Sequence, residues 1–200
     1  MLINMTASDE FPEIMLWNSG YVADEKGLRI WPFRSHCCLW ANLKRLQYVG
    51  IYIGSNSFLR LFLHFRDDGR KPIILARRHG VKGMCQVAAI IQLVKRVQPT
   101  AVDLSNPAIT ELLEAAQLED GDGPMERLTD AQLLNRAKRL LVSLEPKAAA
   151  KACAVLLERS TSDDCKVARI KIRAELESFD TAAAMQTLAE ITARHPEETE

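Results

Sequence analysis

The spacing of apolar residues changes once along this 200-residue chain, and the change constrains the fold more than any other feature. From about residue 20 to residue 82, apolar residues recur at alternate positions between turn-forming residues, which predicts β-strands. Beyond Gly83 they recur every three to four residues, which predicts amphipathic helices. The sequence therefore predicts an α+β protein: an antiparallel β-barrel or sandwich capped by a C-terminal helix, then an all-α tail of helical hairpins.

Five or six strands are predicted in the first region, separated by turns. Glu25-Lys26-Gly27 predicts a turn in which Gly27 adopts a positive φ, because glycine tolerates that conformation. Asp68-Gly69 lies between two apolar runs and predicts a hairpin. In the strand before that hairpin, alternate residues belong to opposite faces. The predicted core face consists of Leu59, Leu61, Leu63 and Phe65, and the other face of Phe58, Arg60, Phe62 and His64.

Helices are predicted where the apolar spacing coincides with residues that start or stop a helix. The first runs from Met84 to about Gln98, before Pro99. A short helix begins at Asn106-Pro107, since Asn is a preferred N-cap and Pro fits the first helical position. The tail helices are predicted at 131–144, 146–158, 165–178 and 181–194, with Thr129 or Asp130, Pro146, Asp163 or Asp164, and Asp180 as their starts. The segment EDGDGP at 119–124 is the clearest linker.

Four segments of the first region resemble the bacterial pleckstrin-homology-like (PH-like) domains. They are DEKGLRI in the early hairpin, LWANLKRL in the middle strands, LHFRDDGRKPIIL in a late hairpin, and the closing helix. The resemblance covers about residues 15–98 and implies a count near seven strands. In eukaryotic relatives of this fold, basic residues around the first hairpin hold phosphoinositide headgroups, and Lys26 and Arg29 occupy that hairpin here.

The helical tail matches itself in part when it is shifted by 34 residues. Thr129-Asp130 then overlays Asp163-Asp164, and Leu157 overlays Ile191. This period and the segment AAAMQTLAEITARHP resemble tetratricopeptide repeats, although a plain four-helix bundle with Ala-rich helices gives such matches by chance. The predicted domains are therefore a PH-like β domain with its capping helix at 15–98, a linker with a short helix at 99–124, and a tetratricopeptide-like tail at 125–196.

The net charge of zero conceals two halves of opposite charge. Residues 1–104 contain 14 Lys and Arg against 8 Asp and Glu, a net charge of +6, and residues 105–200 contain 12 against 18, a net charge of −6. Basic residues concentrate at 66–82, where they can hold anionic groups or simply form a solvated surface. The candidate anion- or lipid-binding residues are Lys26, Arg29, Arg66, Arg70, Lys71, Arg77 and Arg78.

The segment SHCCLW at 35–40 raises the question of a metal or redox site. If it is a strand, Cys37 and Cys38 belong to opposite faces and cannot share one tetrahedral zinc ion without strain. The five cysteines form no CxxC pair, which favours reduced, mostly buried thiols. We therefore predict no metal, no cofactor and no catalytic residue, and the sequence contains none of the common nucleotide-binding or hydrolase motifs.

These features lead to a prediction of a non-enzymatic adaptor or scaffold that mediates protein–protein interactions through the PH-like domain and the helical tail. The alternative is a peripheral membrane module whose basic face binds anionic lipid headgroups. We expect a cytoplasmic protein, or one at the inner membrane surface, because no signal peptide and no membrane-spanning segment is predicted. A protein partner is expected and oligomers are compatible with the sequence, whereas nucleic acid is disfavoured because stacking aromatics are not interleaved with the basic residues.

Overall fold

The computed structural model describes residues 14–16, 21–30, 35–53, 56–66, 71–78, 80–121, 123–159 and 164–195. At 14–16, 51–53, 56–58 and 76–78 only the backbone is considered. The chain divides into two compact units. One, called the sheet unit, comprises residues 1–78 and 85–109, and the other, called the helical unit, comprises residues 79–84 and 110–200. The predicted α+β class is confirmed, since strands precede a series of helices.

Seven strands form two antiparallel sheets within the described part of the sheet unit. Sheet A contains β1 (Ile14–Leu16), β2 (Tyr21–Ala23), β3 (Gly27–Ile30) and β4 (His36–Leu39), in that order. Sheet B contains β5 (Leu43–Ile53), β6 (Asn56–Phe65) and β7 (Ile73–Arg78), also in order. The prediction of five or six strands was one or two short, since strands such as β1, which has three residues, are too short to show alternation. The described strands form two separate sheets and no closed barrel.

One face of sheet B supplies much of the core of the sheet unit. Its buried residues are Leu43, Leu46, Tyr48, Leu59, Leu61, Leu63 and Leu75. The predicted alternation in β6 is therefore confirmed for its three leucines, while Phe65 is half-buried and stacks on Trp40 with ring centroids 6.5 Å apart. β6 and β7 pair antiparallel as a hairpin requires, but the predicted turn at Asp68-Gly69 lies outside the described residues.

Gly27 is needed for a different reason from the one predicted. It is the first residue of β3, pairs with Leu39 of β4, and is not among the residues with positive φ. A Cβ at this position would lie 2.0 Å from the carbonyl oxygen of Cys38 and 2.9 Å from the Cα of Leu39. Both are backbone atoms, so β3 and β4 can approach this closely only where one strand has no side chain.

Two helices connect the sheets to the tail. α1 (Val81–Val97) begins three residues before the predicted start, and its predicted apolar stripe is confirmed by the burial of Met84, Ile91 and Val94. α2 (Pro107–Gln117) begins where predicted, and the side-chain oxygen of Asn106 accepts a hydrogen bond of 3.0 Å from the backbone of Ala108.

Four helices form the tail, with ends close to the predicted ones. They are α3 (Asp130–Val142), α4 (Pro146–Glu158), α5 (Asp164–Glu177) and α6 (Thr181–Arg194). Thr129 is the N-cap of α3 and forms a capping box with Gln132, and Asp180 caps α6 by accepting from Ala183. Each helix packs against the next one, and α3 also contacts α5. No helix in the described part of the chain is long and apolar enough to cross a membrane.

The two helical hairpins of the tail share one turn geometry. Leu144 and Phe179 both have φ of 62°, and each turn is closed by a backbone hydrogen bond spanning five residues, from Glu145 to Leu140 and from Asp180 to Glu175. These turns correspond at a shift of 35 residues, not 34. The second helices follow the same shift, because buried Ala149 and Ala152 of α4 match buried Ala184 and Thr187 of α6. The predicted period was therefore one residue too short after the turn.

The predicted linker at 119–124 is attached to α3. Arg136 donates to the carbonyl oxygens of Gly121 and Gly123 at 2.6 and 2.8 Å, and Arg139 forms an ion pair with Asp120. Gly121 and Gly123 have φ of 66° and 121°, conformations that glycine adopts without strain. The described residues of this segment are therefore held against α3 within the helical unit.

Candidate functional site

The face of sheet B opposite its leucine core carries positive charge and apolar side chains. Strand register places Arg45 opposite His64, Gln47 opposite Phe62, and Val49 opposite Arg60, while Phe62 also lies opposite Ile74 of β7. Directly paired residues share a face of the sheet. We call this surface the outer face, consisting of Arg45, Gln47, Val49, Arg60, Phe62, His64 and Ile74. It contains no acidic residue.

Two side-chain nitrogens on the outer face are buried without a hydrogen-bond partner among the described residues. They are the Nε atom of Arg60 and the Nε2 atom of His64. A buried polar group that lacks a partner costs about 1–3 kcal/mol, so such groups are rare in completed interiors. The outer face therefore holds hydrogen-bonding capacity that the described part of the chain does not use.

Apolar side chains lie between these two donors. Phe62 is half-buried and separates Arg60 from His64 along β6. Ile74, on the neighbouring strand, is 46% exposed, whereas the next residue, Leu75, is 5% exposed in the core. Since residues of a strand advance by about 3.3 Å, Arg60 and His64 are about 13 Å apart. The surface thus offers an apolar centre with a cationic or polar group on each side.

Arg45 extends the positive charge of the outer face toward one edge of the sheet. It is exposed, and it lies near enough to Asp103 to contribute to that residue's electrostatics. The pKa of Asp103 is lowered chiefly by hydrogen bonds from Ser105, with Arg45 as a minor cause. The positive charge of Arg45 is therefore partly balanced by the carboxylate of Asp103. Arg60 and His64 are the residues that best indicate what this surface binds.

A second polar group surrounds Asp24 in the early hairpin. The Nε2 atom of His36 lies 2.7 and 2.8 Å from the two carboxylate oxygens, and the backbone amides of Lys26 and Gly27 donate to one of them. The indole nitrogen of Trp40 donates to the carbonyl oxygen of Asp24 at 2.6 Å. Asp24 therefore connects the β2–β3 turn to β4 and to the buried Trp40.

The electrostatics of Asp24 fit a structural role. Burial by itself raises the pKa of the carboxyl group, but the hydrogen bond from His36 and those from the two backbone amides outweigh it, so the pKa of Asp24 is lowered. Arg29 is only 9% exposed and its Nε atom lies 3.9 Å from the same carboxylate. The carboxylate is therefore held ionised inside a cluster of donors.

The SHCCLW segment, which contains this histidine, includes β4, and its two cysteines differ in exposure. Cys37 is exposed and its thiol donates to the carbonyl oxygen of Leu28 at 3.2 Å, while Cys38 is half-buried. His36 contacts Asp24 and not a thiol, so the geometry gives no Cys–His pair. The prediction of mostly buried thiols is wrong, because only one of the five cysteines is buried, one is exposed and three are half-buried.

The described part of the structure does not bring the predicted anion-binding residues together at one place. Lys26, Arg66 and Lys71 have exposed side chains, whereas Arg29 is buried beside Asp24. Arg77 and Arg78 lie in β7, in register with Leu59 and Phe58, and these two positions belong to opposite faces of the sheet. Arg70 lies outside the described residues. The anion-binding role of these residues stays a prediction.

The helical unit contains a buried polar network whose members are all paired. Lys171 donates from Nζ to the hydroxyl of Thr187 at 2.6 Å and lies 2.7 Å from one carboxylate oxygen of Glu175. The Thr187 hydroxyl donates to the other oxygen of Glu175 at 2.9 Å. Nearby Cys153 is fully buried, and burial raises the pKa of its thiol to about 12, which makes it unreactive at neutral pH.

Comparison with known proteins adds no functional assignment: no family model, no curated protein and no solved structure matches this chain. Within the part of the chain that the structure describes, no three or more His, Cys, Asp or Glu side chains are grouped so as to hold a metal ion.

Sequence reasoning identified half of the outer face. It placed Arg60, Phe62 and His64 on one side of β6, but it did not select Arg60 or His64 as site residues. Arg45 and Ile74 were missed because they join this face only through strand register, which cannot be read from any one strand. The usable signal was an arginine and a histidine at alternate positions within an otherwise apolar strand.

Proposed function

We propose that this protein is a non-enzymatic adaptor that binds a partner protein through the outer face of sheet B. The observation that carries the proposal is the pair of buried, unpartnered donors at Arg60 and His64 on either side of Phe62. Because these nitrogens are enclosed, a partner reaches them only when the groups that cover them move. Hydrogen bonds that the partner then forms satisfy groups that the described chain leaves unsatisfied, which turns a destabilising feature into a source of affinity.

The proposal includes a PH-like architecture for the sheet unit. Its support is the order of elements: four strands in one antiparallel sheet, three in the next, and then α1. Seven strands followed by a helix agree with the count that the resemblance implies. PH-like domains present sheet edges and loops to peptides.

The proposal also includes a tetratricopeptide-like arrangement for the tail. Successive helices pack in order, α3 contacts α5, and in the described helices α3 and α6 make no substantial contact. A closed four-helix bundle brings its first and last helices together, whereas stacked hairpins do not. The shared turn geometry of the two hairpins supports repetition of one unit.

The chemistry of the outer face specifies the partner segment. The positive groups of this face pair with carboxylates of the partner. Phe62 and Ile74 pack against apolar side chains of the partner that lie between those carboxylates. An amphipathic helix fits, because residues eight apart in a helix are separated by about 12 Å, close to the spacing of Arg60 and His64. We therefore expect an acidic helix with leucine-like residues between its acids.

A direct test uses a fluorescent, end-capped helical peptide with Glu at two positions eight residues apart and Leu between them. We expect the full chain to bind it in a fluorescence polarisation titration, with an affinity that falls as salt is added. Arg60→Glu should weaken binding at least tenfold, because it places a like charge against the peptide.

The matched control is Lys26→Glu, which makes the same charge change in the β2–β3 turn of sheet A, at a residue that is not part of the outer face. It should bind the peptide like the unmodified chain. Equal binding of a peptide with Gln in place of Glu, or equal losses in the two variants, would contradict the proposed recognition.

A peripheral membrane role is the second candidate, and exposed Lys26, Arg66 and Lys71 favour it. Basic side chains near an anionic membrane contribute about 1 kcal/mol each, so several of them are needed for stable binding. Co-sedimentation with vesicles of phosphatidylcholine and phosphatidylserine tests it. Salt-sensitive binding that is lost in Lys26→Glu combined with Arg66→Glu, and retained in Arg60→Glu, would favour the membrane role over the adaptor role.

A further inference from the structure

Strand β4 contains a bulge that changes the direction of its side chains. In the β3–β4 ladder Leu28 pairs with Cys38 and Arg29 pairs with His36, so Cys37 is an extra residue without a counterpart in β3. Leu28 and Arg29 are adjacent in a strand and therefore belong to opposite faces of sheet A. Since directly paired residues share a face, Cys38 and His36 belong to opposite faces as well.

The bulge determines where the thiol of Cys37 lies. Regular alternation would put His36 and Cys38 on one face and Cys37 on the other. Because His36 and Cys38 lie on opposite faces, the residue between them must share a face with one of the two. The Cys37 thiol donates a hydrogen bond of 3.2 Å to the carbonyl oxygen of Leu28, which is the partner of Cys38 in the ladder.

The side chain of Tyr21 identifies the face that both thiols share. Tyr21 pairs with Ile30, which lies two residues from Leu28 in β3, so Tyr21 is on the Leu28 face of sheet A. Burial raises the pKa of the Tyr21 phenol, and negative charge at Cys37 and then at Cys38 raises it further. Both thiols therefore lie on the face of this phenol. The prediction that the two cysteines belong to opposite faces is wrong, because it assumed regular alternation.

The two thiols differ in their access to solvent. Cys37 is exposed and Cys38 is half-buried, so a reagent in solution reaches Cys37 first. Consecutive Cα atoms are about 3.8 Å apart, somewhat less than the range of about 4.4–6.8 Å that is usual between disulfide-bonded cysteines. A disulfide between these neighbours is therefore strained, and a strained, accessible disulfide is easily reduced again.

We propose that Cys37 and Cys38 form a redox-sensitive dithiol that closes reversibly to a disulfide when it reacts with a low-molecular-weight disulfide such as oxidised glutathione. The Cys37 thiolate attacks one sulfur of oxidised glutathione, a mixed disulfide forms, and one glutathione thiolate leaves. The Cys38 thiolate then attacks the Cys37 sulfur, the mixed disulfide breaks, and the second glutathione thiolate leaves. The two thiol protons pass to the two departing thiolates, so one oxidised glutathione becomes two reduced molecules.

The test treats the reduced full chain with oxidised glutathione, alkylates the remaining thiols with iodoacetamide, and digests the denatured chain with trypsin. Cleavage after Arg34 and Lys44 gives the peptide 35–44, which contains Cys37 and Cys38 and no other cysteine. We expect mass spectrometry to find this peptide without alkyl groups and lighter by two hydrogen atoms. Dithiothreitol, added before alkylation, should restore two alkylated cysteines.

Single variants separate the roles of the two cysteines. Cys38→Ser should stop at the mixed disulfide and retain glutathione on Cys37. Cys37→Ser should take up glutathione at least tenfold more slowly, because the remaining thiol is less accessible. Cys165→Ser, in α5 of the helical unit, is the control and should leave closure in the peptide 35–44 unchanged.

A shifted pair of cysteines tests the bulge itself. Cys37→Ser combined with Leu39→Cys keeps two adjacent cysteines in β4 and in the same tryptic peptide. Positions 38 and 39 pair regularly with Leu28 and Gly27, so their side chains belong to opposite faces. This variant should close at least tenfold more slowly than the unmodified chain, with an unchanged circular dichroism spectrum.

Three results would overturn the proposal. They are equally fast closure of the shifted pair, an unmodified chain whose peptide keeps two alkylated cysteines, and an unmodified chain that retains glutathione as Cys38→Ser does. The proposed adaptor function is tested separately by peptide binding, since neither Cys37 nor Cys38 belongs to the outer face of sheet B.

Discussion

One buried polar network of the helical unit and the outer face of sheet B differ in how completely their polar groups are hydrogen-bonded. In the helical unit, buried Glu175 and Thr187 are hydrogen-bonded to each other and to Lys171. In the sheet unit, Arg60 and His64 each keep a buried nitrogen that has no partner in the described part of the chain. The helical network is complete in itself, whereas the outer face of sheet B is incomplete.

This difference indicates which polar groups serve stability and which serve binding. A satisfied network fixes the geometry of a core, and removal of one member leaves the others uncompensated. An unsatisfied donor lowers stability and is retained only where another benefit offsets the loss, such as contact with a partner. The network around Glu175 and the outer face of sheet B should therefore respond in opposite directions when a buried polar group is removed.

The largest effect is expected in the helical unit. Glu175→Ala leaves the Lys171 ammonium without its carboxylate partner in a site where Glu175 is only 6% exposed. We expect a loss of about 3–5 kcal/mol in the free energy of unfolding, measured by urea denaturation. Lys171→Met combined with Glu175→Leu removes both charges and should recover most of the loss. If the single variant is as stable as the unmodified chain, the network does not stabilise α5 and α6.

The opposite sign is expected on the outer face. Arg60→Met keeps an unbranched apolar stem and removes the guanidinium with its unpartnered Nε donor, so the free energy of unfolding should rise by about 1–3 kcal/mol. The same variant should lose affinity for the acidic peptide described above. A destabilised variant would mean that Arg60 already has a compensating interaction, and the comparison between the units would fail.

The parts of the fold that depend on neighbouring residues could be predicted from sequence. The starts of α3 and α6 follow from Thr129 and Asp180, whose capping hydrogen bonds reach only three residues along the chain. Gly27 could not be interpreted in this way, because the atoms that exclude its side chain belong to Cys38 and Leu39 on another strand. The same is true of the outer face, where Ile74 becomes relevant only through its pairing with Phe62.

The 34-residue shift shows the same limit in the tail. It aligned the first part of α3 with α5, since buried Leu133 matches buried Val167. From the last turn of α3 onward the shift is 35 residues, because Leu140 and Glu175 both accept the hydrogen bond that closes the hairpin turn. One inserted residue leaves the pattern of alanines almost unchanged in a helix rich in alanine. The hydrogen bonds and φ angles of the two turns were needed to detect it.

A smaller effect is expected where stability comes from a local cap. Thr129→Ala removes the hydroxyl that accepts from the backbone of Gln132, which should cost about 1 kcal/mol. The loss should be confined to the first turn of α3, and amide hydrogen exchange should speed up there and not in α5. Thr129→Ser keeps an oxygen acceptor and should retain most of the stability. Faster exchange spread throughout the tail would show that this cap stabilises more than its own helix.

The smallest effect is expected in the sheet unit. There Asp24 corresponds to the Thr129 cap, because its carboxylate accepts hydrogen bonds from the nearby turn and from distant His36. Because the pKa of Asp24 is lowered in the folded chain, its carboxylate contributes stability above the ordinary value of 3.8. That contribution is lost as the pH falls below 3.8 and through the lower, folded-state pKa. Urea midpoints of the unmodified chain and of Asp24→Asn should therefore differ at about pH 6 and converge in acid. A gap that stays constant through this acid range would mean that the hydrogen bonds to Asp24, and not its charge, hold the hairpin to β4.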